Sequence, residues 1–269
     1  MIKFENTEVF GWEAAIRGMR NPMNSWEKSD SIFCKPIDCK TCEVSEDCGK
    51  YGSDFDIGPK DHRLMMNLSD NGTVHRKFMR MITVYVDITA PLYWWKEFDT
   101  YKVGTVANSC STMHKIHEKE FTLDDFSCEH LITDSNDVFV MDEEDYIPLS
   151  PKDILQNYIV EMLNESRQKY LETKNKKYWW QMIQLLPSSY NQKRTIMLNY
   201  EVLANIYKSR KNHKLDEWSV GFIQWIESLP YSELITGDEE IKRGWCDVLK
   251  DRYTRRRIDC KRFWRLDSL

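Results

Sequence analysis

Residues 90–116, APLYWWKEFDTYKVGTVANSCSTMHKI, constrain the fold of this chain more than any other stretch. The first half has a proline suited to a first helical turn and then an apolar stripe at helical spacing, formed by Leu92, Trp94, Trp95, Phe98 and Tyr101. The second half, residues 104–114, is a run of small polar residues. A core helix followed by such a run is typical of a scaffold that presents a binding loop to a ligand. The alternative interpretation is an ordinary helix and its connection.

Length and charge limit the class of protein. At 269 residues the chain is long enough for one large domain, and its ten tryptophans indicate an extensive core or a large subunit interface. The formal net charge of −5 gives no bulk attraction to nucleic acid or to anionic membranes. No apolar run approaches the ~20 residues that span a bilayer, and MIKFENTEVF lacks the pattern of a signal peptide. We therefore expect a cytoplasmic protein without a nucleic-acid or membrane partner.

Four cysteines, Cys34, Cys39, Cys42 and Cys48, lie in a polar insertion at about residues 31–60 with the spacing C-x4-C-x2-C-x5-C. The segment has little apolar sequence, and a bound metal can replace a missing core. Four thiolates suit zinc or an iron–sulfur cluster. Reduced thiols near solvent and disulfides are the alternatives, and the cytoplasmic setting disfavours disulfides.

Hydrophobic periodicity predicts the other elements. The alternating apolar residues of 78–88 predict a strand, and Ser150 with Asp153 forms a capping-box pattern that predicts a helix start. The predicted helices cover residues 12–19, 60–68, 154–163, 177–186 and 218–229. The acidic segment 117–149 is interpreted as a solvated loop. The basic, aromatic extension at about 238–269 is a charged terminal helix or a surface for phosphates or an acidic subunit.

Residues 195–209 predict a helix with polar ends on a buried stripe. One face carries Asn199, Leu203, Ile206 and Arg210. An Asn and an Arg on a core-facing stripe must be paired or contact a ligand, because burying them bare costs several kcal/mol. The structural alternative is a pair between Arg210 and a carboxylate such as Glu217.

Common catalytic motifs are missing from the sequence. No G-x-G-x-x-G follows a predicted strand, and no G-x4-G-K-[ST], G-x-S-x-G or H-E-x-x-H occurs. Cys110 has His114 four residues later, but sequence proximity alone is weak support for a nucleophile.

Two segments resemble the flavin-dependent thymidylate synthases, the ThyX family. The family motif R-H-R-x-x-S-x-N-E-x-S-x-R follows an apolar helix, and residues 101–113, YKVGTVANSCSTM, stand in the same place. Asn108 and Ser111 match the motif. The departures are Tyr101, Lys102 and Val103 for Arg-His-Arg, Val106 for the first Ser, Ser109 for Glu and Met113 for the final Arg.

The second segment matches the family better. The family has Leu-Pro, then further on Asn, then Leu-Arg and a downstream Glu. The corresponding residues are Leu186, Pro187, Asn199, Asn205, Ser209, Arg210 and Glu217, with Ile183 in place of a family Arg. His75 lies where the family has a His before its first sheet strand. The resemblance covers residues 72–115 and 150–229.

The resemblance implies an α/β (α+β) fold, a twisted sheet flanked by helices, in a homotetramer. It implies FAD as cofactor and a uracil nucleotide such as dUMP, a reduced folate and NADPH as partners in reductive methylation at C5. Arg210 corresponds to the family's catalytic Arg, which polarises the uracil. The residues implied to bind the flavin are His75, Lys102, Asn199 and Asn205, and those implied to bind the nucleotide are Asn108, Ser109, Cys110 and Ser111.

The departures from the motif concern charge. The missing arginines are those that hold flavin and nucleotide phosphates, which require charged donors. Lys102, Lys115, Arg76 and the basic extension are the replacements that the sequence offers. The alternative function is therefore a non-catalytic ThyX-like protein that binds nucleotide or only itself.

Overall fold

The computed structural model of this chain describes residues 2–33, 55–133 and 149–237. The chain divides into two compact units. Unit 1 comprises Met1–Glu8, Val84–Leu198 and Asn212–Phe222, and unit 2 comprises Val9–Thr83, Asn199–Lys211 and Ile223–Leu269. The expectation of a single domain over residues 1–269 stays a prediction.

The described segments contain both strands and helices. The strands are β1 (Lys3–Phe10), β2 (Ile32–Phe33), β3 (Phe55–Asp56), β4 (Thr83–Pro91), β5 (Val106–Ser109) and β6 (Asn191–Asn199). The helices are α1 (Trp12–Arg20), α2 (Pro59–Asp70), α3 (Leu92–Phe98), α4 (Pro151–Ile154), α5 (Glu161–Thr173), α6 (Lys176–Leu185), α7 (Tyr200–Arg210), α8 (Ile223–Glu227) and α9 (Glu233–Thr236). The predicted α/β class is confirmed.

The four-stranded sheet has the order β1-β4-β6-β5, with β5 antiparallel to β6. Alternate residues of β4, namely Val84, Val86, Ile88 and Ala90, are buried, as the period-two pattern predicts. The predicted strand started too early, however, because Arg76–Arg80 is a 3-10 turn. That turn buries Phe78 and Met79 together, which the alternation of a strand does not allow.

Helix α3 organises the core of unit 1, as predicted. Its first N–H groups, on Leu92 and Tyr93, donate to the carbonyls of Tyr190 and Ser188 at 3.0 Å each, so the start of the helix is satisfied. Its buried aromatic face comprises Trp94, Trp95 and Phe98. These rings pack with Trp218 and Phe222, and the Trp94 and Trp218 centroids are 4.4 Å apart. These five rings, packed in stacked, tilted and edge-on pairs, bury a large apolar area at little rotamer cost.

A helical pair covers a second core cluster of unit 1. Ser150 caps α4 through the predicted capping box with Asp153. A π-helical segment, Leu155–Val160, joins α4 to α5, and α6 packs against α5. The cluster beneath comprises Ile116, Phe121, Phe126, Leu155, Val160, Leu163 and Met182.

Unit 2 packs α1, α2, α7 and α9 with the 3-10 turn Arg76–Arg80. Trp12 lies at its centre, with its ring edge-on to Tyr200 at 5.3 Å and to Tyr231 at 5.2 Å. Gly11, the N-cap of α1, has a φ of 96°, and a Cβ at that position would lie 2.0 Å from the carbonyl oxygen of Met81. The entry to α1 therefore requires glycine.

A buried ion pair anchors the chain before the cysteine-rich insertion. Arg20 Nε donates to Asp61 Oδ1 at 2.6 Å, and the hydroxyls of Ser29 and Ser31 donate to Oδ2 at 2.6 Å each. Burial on its own raises the pKa of Asp61, but these hydrogen bonds together lower it below the ordinary value. Strands β2 and β3 then pair in antiparallel fashion on either side of residues 34–54. Cys34, Cys39, Cys42 and Cys48 lie outside the described residues, so their metal site stays a prediction.

Candidate functional site

The residues implied by the ThyX resemblance divide between the two units. Unit 1 contains Lys102, Asn108, Ser109, Cys110 and Ser111, and unit 2 contains His75, Asn199, Asn205 and Arg210. The two groups of residues are built from different elements.

The polar run of unit 1 is an edge strand followed by a loop. Residues 106–109 form β5, which pairs with β6, and all four are exposed. The expectation of a plain loop over residues 104–114 is therefore wrong for this part. Pairing continues past the strand, since Cys110 N–H donates to the carbonyl of Lys193 at 2.9 Å. The candidate nucleotide-binding residues thus lie on a backbone that is fixed by the sheet.

A side-chain network holds the end of β5 in place. Arg194 Nη1 donates to Asp99 Oδ1 at 2.7 Å, and its Nε donates to Gln192 Oε1 at 2.9 Å. The Arg194 guanidinium also lies 4.2 Å from the centroid of the Trp95 ring. Gln192 Nε2 in turn donates to the carbonyl of Cys110 at 2.8 Å. The turn after β5 is therefore tied to α3 through a continuous chain of contacts.

The loop after Cys110 offers small hydrogen-bonding groups to solvent. Ser111 Oγ accepts a hydrogen bond from the backbone N–H of His114 at 2.9 Å, which leaves the hydroxyl proton available for another acceptor. Asn108 and Ser109 are exposed on β5, and Lys102 is exposed on the connection between α3 and β5. Hydroxyl, amide and ammonium donors suit an anionic or carbonyl-rich ligand.

In unit 2, Asn199 is the N-cap of α7. Its Oδ1 accepts the backbone N–H of Val202 at 3.0 Å, so its amide N–H groups remain as donors. The prediction of a helix from residue 195 is wrong up to this point, because Ile196 and Leu198 are buried at strand spacing within β6. Asn199 fell on the predicted helical stripe because it is the residue at which the helix starts.

Arg210 lies in the last turn of α7 and is half-buried. Asn199 and Arg210 are eleven residues apart along a helix, which separates them by about 16 Å. Leu203 and Ile206, between them, are fully buried, as the stripe predicted. The two polar ends of α7 are therefore too far apart for one small chemical group to contact both. Glu217 accepts a hydrogen bond from the Tyr93 hydroxyl within unit 1, and burial with this contact raises the pKa of Tyr93.

Arg76, the residue after His75, contacts the side chain of Asn205. His75 is exposed and precedes the 3-10 turn, whose first residue, Arg76, is buried. Arg76 Nη2 donates to Asn205 Oδ1 at 2.9 Å. Arg76 Nε lies 3.6 Å from Glu201 Oε1, and Arg80 forms a second, hydrogen-bonded pair with the same carboxylate. Two guanidinium groups therefore share one carboxylate.

Sequence reasoning named Arg76 only as a possible source of charge and missed its contact with Asn205. The available signal was the four-residue spacing of Glu201 and Asn205, which puts a carboxylate and an amide on one helix face. The fit to FAD rests on this donor set. An excess of cations and an exposed amide suit a ligand with phosphates and carbonyl acceptors.

Within residues 2–33, 55–133 and 149–237, no group of three or more His, Cys, Asp or Glu side chains is placed to hold a metal ion. In the same segments, no helix combines the length and the apolar character needed to cross a membrane.

Solved structures identify the fold. Thymidylate synthase X (ThyX) from Helicobacter pylori with FAD and dUMP matches with a TM-score of 0.55 at 14% identity, covering 89% of this chain and 98% of that chain. A second structure of that enzyme with FAD and dUMP gives 0.55 at 15% identity, covering 87% and 99%. The UMP/dUMP methylase PolB from Streptomyces cacaoi, bound with 5-Br dUMP, gives 0.49 at 14% identity, covering 88% and 94%. No family model and no curated relative matches the chain.

The chain therefore has the fold of the flavin-dependent thymidylate synthases. This confirms at the level of fold the resemblance that the sequence motifs indicated.

Proposed function

We propose that this protein is an FAD-dependent methyltransferase of the thymidylate synthase type, which methylates C5 of a uracil nucleotide, most simply dUMP. The observation that carries the proposal is the presence of Asn199, Asn205 and Arg210 on one helix, at the family spacing, in a chain with the family's fold. The two Helicobacter pylori structures hold both FAD and dUMP, and the match covers nearly their whole length.

Arg210 is the proposed catalytic residue. A guanidinium is always charged and presents a rigid fork of donors that suits a carbonyl oxygen and an adjacent ring nitrogen. Placed against the uracil ring, it stabilises the negative charge that develops as C5 attacks the one-carbon unit. The half-buried position of Arg210 excludes part of the surrounding water, which strengthens that interaction.

The other residues hold the two ring systems. His75, Lys102, Asn199 and Asn205 are proposed to contact the flavin, and Asn108, Ser109, Cys110 and Ser111 the nucleotide. Bound FAD supplies the redox chemistry, with NADPH as reductant and a reduced folate as one-carbon donor. A homotetramer is part of the proposal, as is a zinc or iron–sulfur site in the cysteine-rich insertion.

The lost motif arginines favour one rival, a ThyX-like protein that binds nucleotide without catalysis. Val103 and Met113, both exposed, stand where the family has arginines. The two functions differ in flavin content. An absorbance spectrum of the untagged protein, followed by release and identification of the bound ligand, distinguishes them. A flavin spectrum and dTMP formation from dUMP, folate and NADPH support the enzyme, and a colourless protein that binds no added FAD contradicts it.

The Arg210→Ala variant tests the assigned role. Loss of one charge-stabilising donor from an active site lowers kcat by about 10²–10³-fold, so turnover should fall by that factor while the oligomeric state is unchanged. Lys208→Ala, which removes an exposed cation from the same turn of α7, is the matched control. Full turnover by Arg210→Ala would remove Arg210 from the mechanism.

A further inference from the structure

We infer that Arg76 is a positioning residue, which fixes the side-chain amide of Asn205 with its N–H donors turned toward the ligand. The inference rests on the proposed function, because it assigns the bound flavin as the group that receives those donors. It gives Arg76, which the sequence offered only as a source of charge, a role at Asn205, and it adds Glu201 as the residue that holds Arg76.

The orientation of the amide follows from what an arginine is able to do. A guanidinium donates hydrogen bonds and accepts none. Asn205 must therefore turn its Oδ1 to Arg76 Nη2, as it does at 2.9 Å, and its Nδ2 faces away. An exposed asparagine without such a neighbour is able to flip between two orientations that differ in donor and acceptor position. Arg76 removes one of them.

The donors of Asn205 are free to meet a ligand. Asn205 is exposed, and its Nδ2 makes no hydrogen bond to any residue in the described part of the chain. The group that complements a fixed N–H donor is a hydrogen-bond acceptor, namely a carbonyl oxygen, an unprotonated ring nitrogen or a phosphate oxygen. A flavin carries acceptors of all these kinds on its ring and its diphosphate.

Glu201 holds Arg76 in place but satisfies it incompletely. The Arg76 side chain is 7% exposed, as is that of Glu201. Arg80 donates hydrogen bonds to the carboxylate of Glu201, and Arg76 Nε, at 3.6 Å from Glu201 Oε1, is left without a hydrogen bond among the described residues. A buried cation with only part of a carboxylate keeps a net positive potential next to Asn205. That potential favours an acceptor or an anion at the amide.

Flavin affinity of four purified variants tests the inference. Asn205→Ala removes the donors, and we expect FAD to bind about 10-fold more weakly, as for the loss of one good hydrogen bond. Arg76→Met, similar in length but without a donor, should weaken FAD several-fold. Arg76→Lys restores a donor toward Asn205 and should recover most of the affinity. Lys77→Ala, which removes the exposed neighbouring cation, should bind like wild type.

The double variant Arg76→Met/Asn205→Ala separates positioning from a general structural role. If Arg76 acts through Asn205, the double variant binds FAD no more weakly than Asn205→Ala alone. A further loss of affinity in the double variant, or unchanged affinity in Arg76→Met, overturns the inference. Riboflavin, which lacks the diphosphate and the adenosine of FAD, serves as a second probe. Parallel losses for FAD and riboflavin place the acceptor on the flavin ring or its ribityl chain, and a loss for FAD alone places it on the diphosphate or the adenosine.

Flavin binding by the wild-type protein distinguishes failure of this inference from failure of the proposed function. Wild-type protein that binds neither FAD nor riboflavin contradicts the proposed function and the inference together. Wild-type binding with equal affinity in all Arg76 variants contradicts the inference alone. Cooperative unfolding of each variant, followed by circular dichroism, confirms that affinities are compared between folded proteins.

Discussion

Two arginines of unit 2 are equally buried and differently satisfied. Arg20 and Arg76 each have 5% of their surface exposed. All three nitrogens of Arg20 donate, to Asp61 at 2.6 Å and to the carbonyls of Ser25 and Lys28 at 3.2 and 3.3 Å. Among the hydrogen bonds described for Arg76, only Nη2 donates, and its acceptor is on an exposed side chain.

The difference separates an arginine that holds the fold from one that we propose positions a ligand-binding group. A buried charge costs several kcal/mol unless its hydrogen bonds are complete, and Arg20 meets that condition within the protein. Arg76 Nε makes no hydrogen bond among the described residues, and Arg76 Nη2 donates to the exposed side-chain amide of Asn205. A buried polar group with missing hydrogen bonds destabilises the fold, and such groups are commonly found at active sites.

Arg194 in unit 1 resembles Arg20, because its contacts are made within the protein. Its guanidinium contacts Asp99, Gln192 and the Trp95 ring, and the chain of contacts ends on a backbone carbonyl. Nothing in this network ends on an exposed donor. It shapes the loop that presents the candidate nucleotide-binding residues without contributing a ligand group itself.

The largest expected effect is on stability, at Arg20. Arg20→Met leaves the Asp61 carboxylate buried without its counter-charge, and removal of one partner from a buried pair costs about 3–5 kcal/mol. Urea denaturation measures the free energy of unfolding. Arg17→Met on the same helix is the matched control, because Arg17 is 64% exposed and makes only a 3.9 Å surface pair with Glu13. That control should change stability by less than about 0.5 kcal/mol, and similar losses for both would contradict the comparison.

The pH dependence of stability sharpens the assignment of Asp61. Because its folded-state pKa is lowered, its contribution is present above the unfolded value of about 3.9 and is lost as the pH falls through the folded-state value. Asp61→Asn should therefore destabilise the protein by about 2–4 kcal/mol at neutral pH. The difference from wild type should shrink as the pH is lowered below 4. Denaturation curves at several pH values test this, and a pH-independent difference would show that the charge of Asp61 is not involved.

Arg194→Ala should have an intermediate effect. It removes a cation–π contact and a hydrogen bond to the buried Gln192, which together contribute about 2 kcal/mol. Loss of the pair with Asp99 adds little, because the Asp99 side chain is 51% exposed and water replaces the arginine there. Lys193→Ala, the neighbouring residue with an exposed pair to Glu5, is the control and should unfold close to wild type. Equal unfolding midpoints for the two variants would show that Arg194, unlike Arg20, does not stabilise the fold.

The parts of the fold that the sequence predicted are those with a self-contained pattern. Helix α3 has a helical stripe of large apolar residues, and all of its buried face lies on that stripe. Strand β5 has no such pattern, because all four of its residues are exposed and only backbone pairing to β6 defines it. The start of α7 was misplaced because Asn199 fits a helical stripe and a cap equally well.

The candidate site divides in the same way. Asn199, Asn205 and Arg210 were named from a motif of fixed spacing within one element. The contact between Arg76 and Asn205 joins residues 129 positions apart, and no local pattern encodes such a pairing. The network of Asp99, Gln192 and Arg194 also depends on how strand and helix pack. Motifs therefore named the candidate ligand-binding residues, whereas the residue that we propose to orient one of them could be found only from the fold.

The smallest expected stability effect is at Arg76, despite its burial. Arg76→Met loses one hydrogen bond, worth about 1 kcal/mol, but also removes an incompletely paired buried cation. Glu201 keeps its pair with Arg80, so no uncompensated carboxylate is left behind. The free energy of unfolding should therefore change by less than about 1 kcal/mol. Urea denaturation of Arg76→Met beside Arg20→Met measures this directly. A loss at Arg76 as large as that at Arg20 would mean that burial, and not satisfaction, sets the role of an arginine in this unit.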